Sequence, residues 1–181
     1  MKIESPMKTL GGLRSEEYLA LNPQGKMPLL TTEAGPIAES DVIVRYLLDK
    51  YSEFGPSLIG ATLEERTRAE SISRHHDMYI TTIQGCMYKP VPPFASFGTR
   101  TAALKELRKQ LDVLETLTSD SGPYLAGPDP TFADAAVFPT MIFCMHSLPK
   151  VSPNSTRHPY QYPYRHPTRH RHQRRFSKPP P

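Results

Sequence analysis

The sequence predicts a mixed α/β module followed by an all-helical bundle and a basic, disordered tail. Three observations carry this reading. Two short apolar runs, residues 27–31 and "PIAE" at 36–39, flank the turn-forming "EAG", which reads as a β-hairpin. From Thr62 onward the apolar residues recur only at helical spacing. After Lys150 the composition changes abruptly to proline, histidine and arginine.

Taken in order, "MKIE" at 1–4 has the character of a short strand. "SEEYLAL" at 15–21 reads as one or two helical turns that stop at Asn22-Pro23, because the residue before proline disfavours the α region. The hairpin follows. A helix from Ser40 to about residue 51 places Val42, Ile43, Tyr46 and Leu47 on one stripe. "SEFGPSLIG" is a connector rich in Gly, Pro and Ser. Thr62 and Glu65 then form a capping box for a helix whose inner face would be Ala69, Ile72, His76, Tyr79, Ile80, Ile83 and Met87. "KPVPPFASFG" breaks it. A second bundle helix, 101–117, aligns Leu104, Leu107, Leu111, Leu114 and Leu117. After the loop "SDSGPYLAGPDP", Thr131 caps a third helix with Asp134 at its third position, and Pro139 should kink it. The organisation expected is a front module at 1–51, a linker at 52–61, a helical domain at 62–150 and a tail at 151–181.

The 181 residues carry a formal net charge of +4, but the sign is local. Residues 1–150 hold all 18 acids against 15 bases, so the body is mildly acidic at −3, while the tail has seven bases and no acid. The basic pI therefore says nothing in favour of nucleic-acid binding by the body. No apolar run approaches the roughly 18 residues of a membrane span, and the N-terminus has no apolar signal segment. Cys86 and Cys144 lie in no metal or redox spacing and read as buried, inert, reduced thiols. The adjacent His75 and His76 diverge by about 100° on a helix, so one should face the core and the other water, with no metal site.

The stretch "NPQGKMPLL" raises a chemical question, since a proline at the mouth of a strand lacks a ladder N–H. With a cis bond ahead of Pro28, the backbone of Met27 would face outward and could pair with an extended peptide. Lys26 would offer a charge to a carboxylate. Thirteen residues on, Glu39 and Ser40 close the hairpin and open a helix, whose first-turn N–H groups suit a second carboxylate. Glu39 could accept from an ammonium group. A ligand with a carboxylate at each end, an amino group beside one and a peptide bond between would match. Taken singly, Ser40 reads equally as an ordinary N-cap and Lys26 as a solvated charge.

"LALNPQGKMPLL…IAESDVIVRYL" resembles the glutathione-binding half of the cytosolic glutathione transferase superfamily, and "GPYLAGPDPTFADAAVFP" resembles a loop and helix of its all-helical C-terminal domain. The resemblance covers about residues 1–148. It implies a thioredoxin-like front domain and a cis Pro28. It also implies that Lys26 contacts the glycyl carboxylate of glutathione, Met27 the cysteinyl backbone, and Glu39 and Ser40 the γ-glutamyl end. Thr131 and Asp134 become structural capping residues. In that family a βα unit carrying the residue that acts on the glutathione sulfur precedes the point where this chain begins, with "MKIE" taking the place of the family's second strand. The expectation is thus a partial thioredoxin-like domain with no catalytic residue of its own. It would be a cytoplasmic glutathione-binding protein that by descent transfers glutathione to small electrophiles. The alternative is a truncated, non-catalytic module that dimerises with itself or with a full-length relative. No metal, membrane or nucleic-acid role is expected, and the tail reads as joined foreign sequence.

Overall fold

A computed structural model describes residues 3–151 of the chain. The expectations of disorder and of a joined sequence for the tail fall, apart from Val151, outside the described residues. Mixed α/β elements come first and helices follow, in the thioredoxin-like and helical arrangement expected. The front part comprises α1 (Pro6–Thr9), α2 (Glu16–Leu21), the strands β1 (Leu29–Thr32) and β2 (Gly35–Ala38), and α3 (Ser40–Lys50). The strands pair antiparallel with Leu29 opposite Ala38 and Thr32 opposite Gly35, around a tight turn at Glu33-Ala34. Gly35 supplies the positive φ, 122°, that this turn requires.

The helical part comprises α4 (Leu63–His75), α5 (Arg100–Leu117) and α6 (Phe132–Val151). The capping box at the start of α4 is complete: Thr62 Oγ1 accepts from Glu65 N at 3.1 Å, and the Glu65 carboxylate accepts from Thr62 N at 3.2 Å. The core lies between the three helices, around Ile72, Ile80, Leu107, Val137, Cys86 and Cys144. On α5, Leu107 and Leu114 are buried and Leu104, Leu111 and Leu117 pack against them, so the leucine stripe is the core-facing side. Each buried Leu or Ile contributes about 2 kcal/mol by leaving water.

Several expectations need correction. Ile3 and Glu4 form no strand; instead Pro6, whose fixed φ suits a first helical turn, opens the unforeseen helix α1. Met27 precedes β1 rather than belonging to it. On α3 the expected stripe loses Val42, which is half exposed, keeps Ile43 and Leu47 facing inward, and gains Leu48. The helix beginning after Thr62 does not run unbroken, because α4 passes into a π-helical turn at His76–Ile80 and, beyond 81–83, a 3-10 turn at Gln84–Met87. The wider π turn delays the helical phase, so Ile80 takes the inward place and Tyr79 turns out at 49% exposure. Helix α6 continues through Pro139 and Pro149.

The two histidines also depart from expectation, for both are buried. Helix α4 has neighbours on two sides, so adjacent positions can each meet a different helix. His75 Nε2 lies 3.0 Å from the Gln110 carbonyl oxygen on α5, and His76 Nε2 lies 2.8 Å from Thr140 Oγ1 on α6. The 100° between them serves two interfaces rather than one interface and solvent.

Front and back are joined by one residue in particular. Arg45 on α3 forms a forked ion pair with Glu70 on α4, its Nη2 lying 2.6 Å from Oε2, and bonds Asp41 at 2.9 Å. Its guanidinium also lies 4.7 Å from the centre of the Phe132 ring, at the start of α6. The two carboxylates push the Arg45 pKa still higher, the Glu70 hydrogen bond contributing most.

Candidate functional site

The candidate site is built at the open end of the hairpin. Because β1 and β2 run antiparallel with Leu29 opposite Ala38, Met27-Pro28 and Glu39-Ser40 leave the hairpin at the same end. Thirteen residues of sequence separation collapse into one place. All five residues singled out there, Lys26, Met27, Pro28, Glu39 and Ser40, are exposed, and the Met27–Pro28 bond is cis.

The turn before β1 is held by residues that periodicity does not point to. The Lys26 carbonyl accepts two hydrogen bonds, from Tyr18 Oη at 2.6 Å and from Asn22 Nδ2 at 2.8 Å. Asn22 Oδ1 in turn accepts from Gln24 N at 3.2 Å. Tyr18 and Asn22 are both buried, so the backbone beneath the exposed Lys26 and Met27 is pinned from below. Gly25 makes the turn possible. Its φ is +60°, and a β-carbon there would sit 2.6 Å from the Leu13 carbonyl oxygen. Asn22-Pro23 was visible as the stop of α2, but the roles of Gly25 and of the contact from Tyr18 were not.

On the other side of the site the structure differs from the expected cap. Ser40 is the first helical residue of α3, and Glu39 is the N-cap, with φ 69° and ψ 121° and no capping bond from its side chain. A positive φ is uncommon for a residue with a β-carbon. Such outliers cost about 1–3 kcal/mol and gather at binding and catalytic sites. The Glu39 side chain caps none of the first-turn N–H groups of α3, and the positive end of the helix dipole lies at that turn. The exposed ammonium of Lys26 lies on the opposite strand end. The arrangement can take an extended peptide along Met27 with anionic groups at both ends.

Thr131 and Asp134 sit elsewhere, at the start of α6. The Asp134 carboxylate accepts from Thr131 N at 2.7 Å, Thr131 Oγ1 at 3.0 Å and Leu125 N at 2.9 Å. Here the threonine hydroxyl donates to the acid instead of accepting from a backbone N–H. The Leu125 contact ties the preceding loop to the helix start.

Cys86 and Cys144 are free and buried in the bundle. Burial pushes both thiols above their ordinary range; at Cys86 the Arg100 guanidinium pulls the other way, less strongly. A raised folded-state pKa means that the neutral thiol is favoured in the fold. Its contribution is complete below the ordinary thiol pKa and is lost as the pH climbs beyond it. Stability measured by urea unfolding is therefore expected to fall above about pH 8.5 in the native chain. A Cys86→Ala, Cys144→Ala double variant should show a shallower fall. Among the described residues no cluster of three or more His, Cys, Asp or Glu could hold a metal, and no helix is long and apolar enough to cross a membrane.

Comparison with known proteins agrees with this geometry. Residues 4–56 match the family model "Glutathione S-transferase, N-terminal domain" and residues 97–160 match "Glutathione S-transferase, C-terminal domain"; together they span more than half of the chain. The sequence is 34% identical over 135 residues to glutathione S-transferase F10 of Arabidopsis thaliana, covering 71% of this chain and 62% of that protein. It is 33% identical over 123 residues to a probable elongation factor 1-gamma 2 of the same plant, covering 67% of this chain but 29% of that protein. The chain thus spans less than two thirds of the length of these relatives. Among solved structures, glutathione transferase F2 from Populus trichocarpa superposes with a TM-score of 0.65 at 25% identity, over 81% of this chain and 71% of that one.

Proposed function

Because the chain belongs to the cytosolic glutathione S-transferase superfamily, we propose that the open end of its hairpin binds glutathione and that the protein takes part in transferring it to small electrophiles. The observation that carries the reading is the strained Glu39, which leaves the first turn of α3 uncapped beside an exposed strand end. Lys26 holds the glycyl carboxylate. Met27 pairs its backbone with the cysteinyl unit, beside Pro28. Ser40 and the first-turn N–H groups hold the γ-glutamyl carboxylate, and Glu39 accepts from the γ-glutamyl ammonium. These residues bind and orient; among the described residues none is assigned to the sulfur. Residues 1–51 and 62–150 act as the two domains, joined by the linker at 52–61, in a cytoplasmic protein able to form dimers.

Calorimetry with glutathione tests this assignment. Lys26→Ala and Ser40→Ala are each expected to weaken binding about tenfold, the loss of one hydrogen bond involving a charged group. Glu39→Gly should also weaken binding, yet leave thermal stability unchanged or higher, since glycine relieves the positive φ. Unaltered affinity in all three variants would refute the assignment.

A second reading has its own observation. The region that matches a transferase at 34% identity matches proteins named elongation factor 1-gamma at 33%. A role as an interaction module, as a homodimer or paired with a longer relative, is consistent with that likeness. Glutathione binding without turnover of an aromatic halide would favour it.

A further inference from the structure

Ser40 is flanked in sequence by two acids, Glu39 and Asp41. A γ-glutamyl end carries one carboxylate and one ammonium, so it has use for a single acid, and Glu39 fills that place in the glutathione reading. Asp41 is then a surplus negative charge in the first turn of α3, beside the place where an anion is to be held. The fold answers it with Arg45, one turn further along the same helix face. Arg45 Nε lies 2.9 Å from Asp41 Oδ2, and among the described residues Asp41 has no other hydrogen-bonded or ionic partner. The two terminal nitrogens of Arg45 are committed to Glu70 on α4 in the forked pair, and the guanidinium lies 4.7 Å from the centre of the Phe132 ring. Held against the bundle in this way, the guanidinium acts on the hairpin end through Asp41.

With Arg45 in place, the trio of Asp41, Arg45 and Glu70 carries one net negative charge; without it, the charge is two. We propose, on the basis of that glutathione reading, that Arg45 is a positioning residue: by neutralising Asp41 beside the first turn of α3, it sets the affinity for the γ-glutamyl carboxylate. Without Arg45 the incoming carboxylate meets an unpaired Asp41, and like charges at that separation repel. A mere tie between α3 and α4 would use the same Glu70 fork. Such a tie is indifferent to the charge on Asp41 and to the charge on the ligand, which is how the two roles are told apart. The side chains of Arg45, Asp41 and Glu70 are 35%, 37% and 48% exposed, so water and salt screen the effect to about tenfold in affinity rather than thousands.

The test is calorimetry of the full chain at low ionic strength with two ligands. One is glutathione; the other is its analogue with γ-aminobutyryl in place of γ-glutamyl, which keeps the ammonium and lacks the neighbouring carboxylate. Arg45→Met is expected to weaken glutathione binding about tenfold and analogue binding by less than about twofold. Asp41→Asn in the native background should strengthen glutathione binding about threefold, a gain that disappears in about 0.5 M salt. The Asp41→Asn, Arg45→Met double variant should return to within about twofold of the native affinity, because no surplus charge remains to be neutralised. Equal losses for the two ligands in Arg45→Met, or no recovery in the double variant, would overturn the proposal and leave the glutathione reading standing. Unchanged or weaker glutathione binding by Asp41→Asn would overturn it equally, even if Arg45→Met fails to fold. A native chain that binds no glutathione overturns both.

Discussion

Replacing Asp134 by alanine is expected to lower the stability of the protein by about 3 kcal/mol, because one carboxylate satisfies three donors. Two of these are backbone N–H groups, of Leu125 and Thr131, that would be left without acceptors in a part-buried position. A bond to a charged group contributes about 1.5–3 kcal/mol, and an N-cap about 1 kcal/mol, so the loss exceeds that of an ordinary cap. The damage should extend beyond α6. Leu125 lies in the loop between α5 and α6, next to the buried Ala126, and the Phe132 amide bonds the Leu58 carbonyl at 2.8 Å. Loosening the start of α6 thus frees the linker as well. Urea unfolding followed by circular dichroism measures the loss, and Asp134→Asn should recover part of it, since the amide oxygen still accepts. A loss below about 1 kcal/mol would mean that the three bonds contribute no more than a lone cap.

Gly25→Ala is expected to cost about 2–4 kcal/mol and to abolish ligand binding at the hairpin end. The left-handed φ of +60° alone disfavours alanine by about 1–2 kcal/mol. The new methyl would also meet the Leu13 carbonyl oxygen at 2.6 Å, a backbone atom that cannot step aside as a side chain could. Relief requires the 22–27 turn to move. That movement breaks the bonds from Tyr18 and Asn22 to the Lys26 carbonyl, and Lys26 and Met27 lose their fixed position. Binding to glutathione-agarose, compared with melting temperature, separates the two effects. Full retention by a well-folded variant would show that the pinned turn is irrelevant to the ligand.

How much of this was legible follows from the kind of signal each feature leaves. The hairpin was readable because "EAG" between two apolar runs has few other uses, and the bundle because Thr62, Glu65 and the leucines of α5 repeat at fixed spacing. The α6 start was readable from Thr131 and Asp134, though not the direction of the hydroxyl, which depends on where Leu125 ends up. The π turn left no mark: inserting it shifts Tyr79 and Ile80 by one position, and both are apolar enough for either place. His75 and His76 misled because a helix was assumed to have one buried side, whereas α4 has two neighbours. Lys26, Met27, Pro28, Glu39 and Ser40 were singled out by their spacing around a Met-Pro pair, and the hairpin brings these positions to one end. The contact from Tyr18, eight residues before the carbonyl it bonds, has no periodic signature.

Arg45 has a consequence for the hairpin end. Ser40 lies five positions before it on the same rigid helix, while Glu70 and the Phe132 face fix the guanidinium to the bundle. The pose of a molecule gripped at the first turn of α3 is thereby referenced to the frame of the three bundle helices. Its tilt becomes a property that ionic strength can tune, since the pairing carboxylates are partly open to solvent.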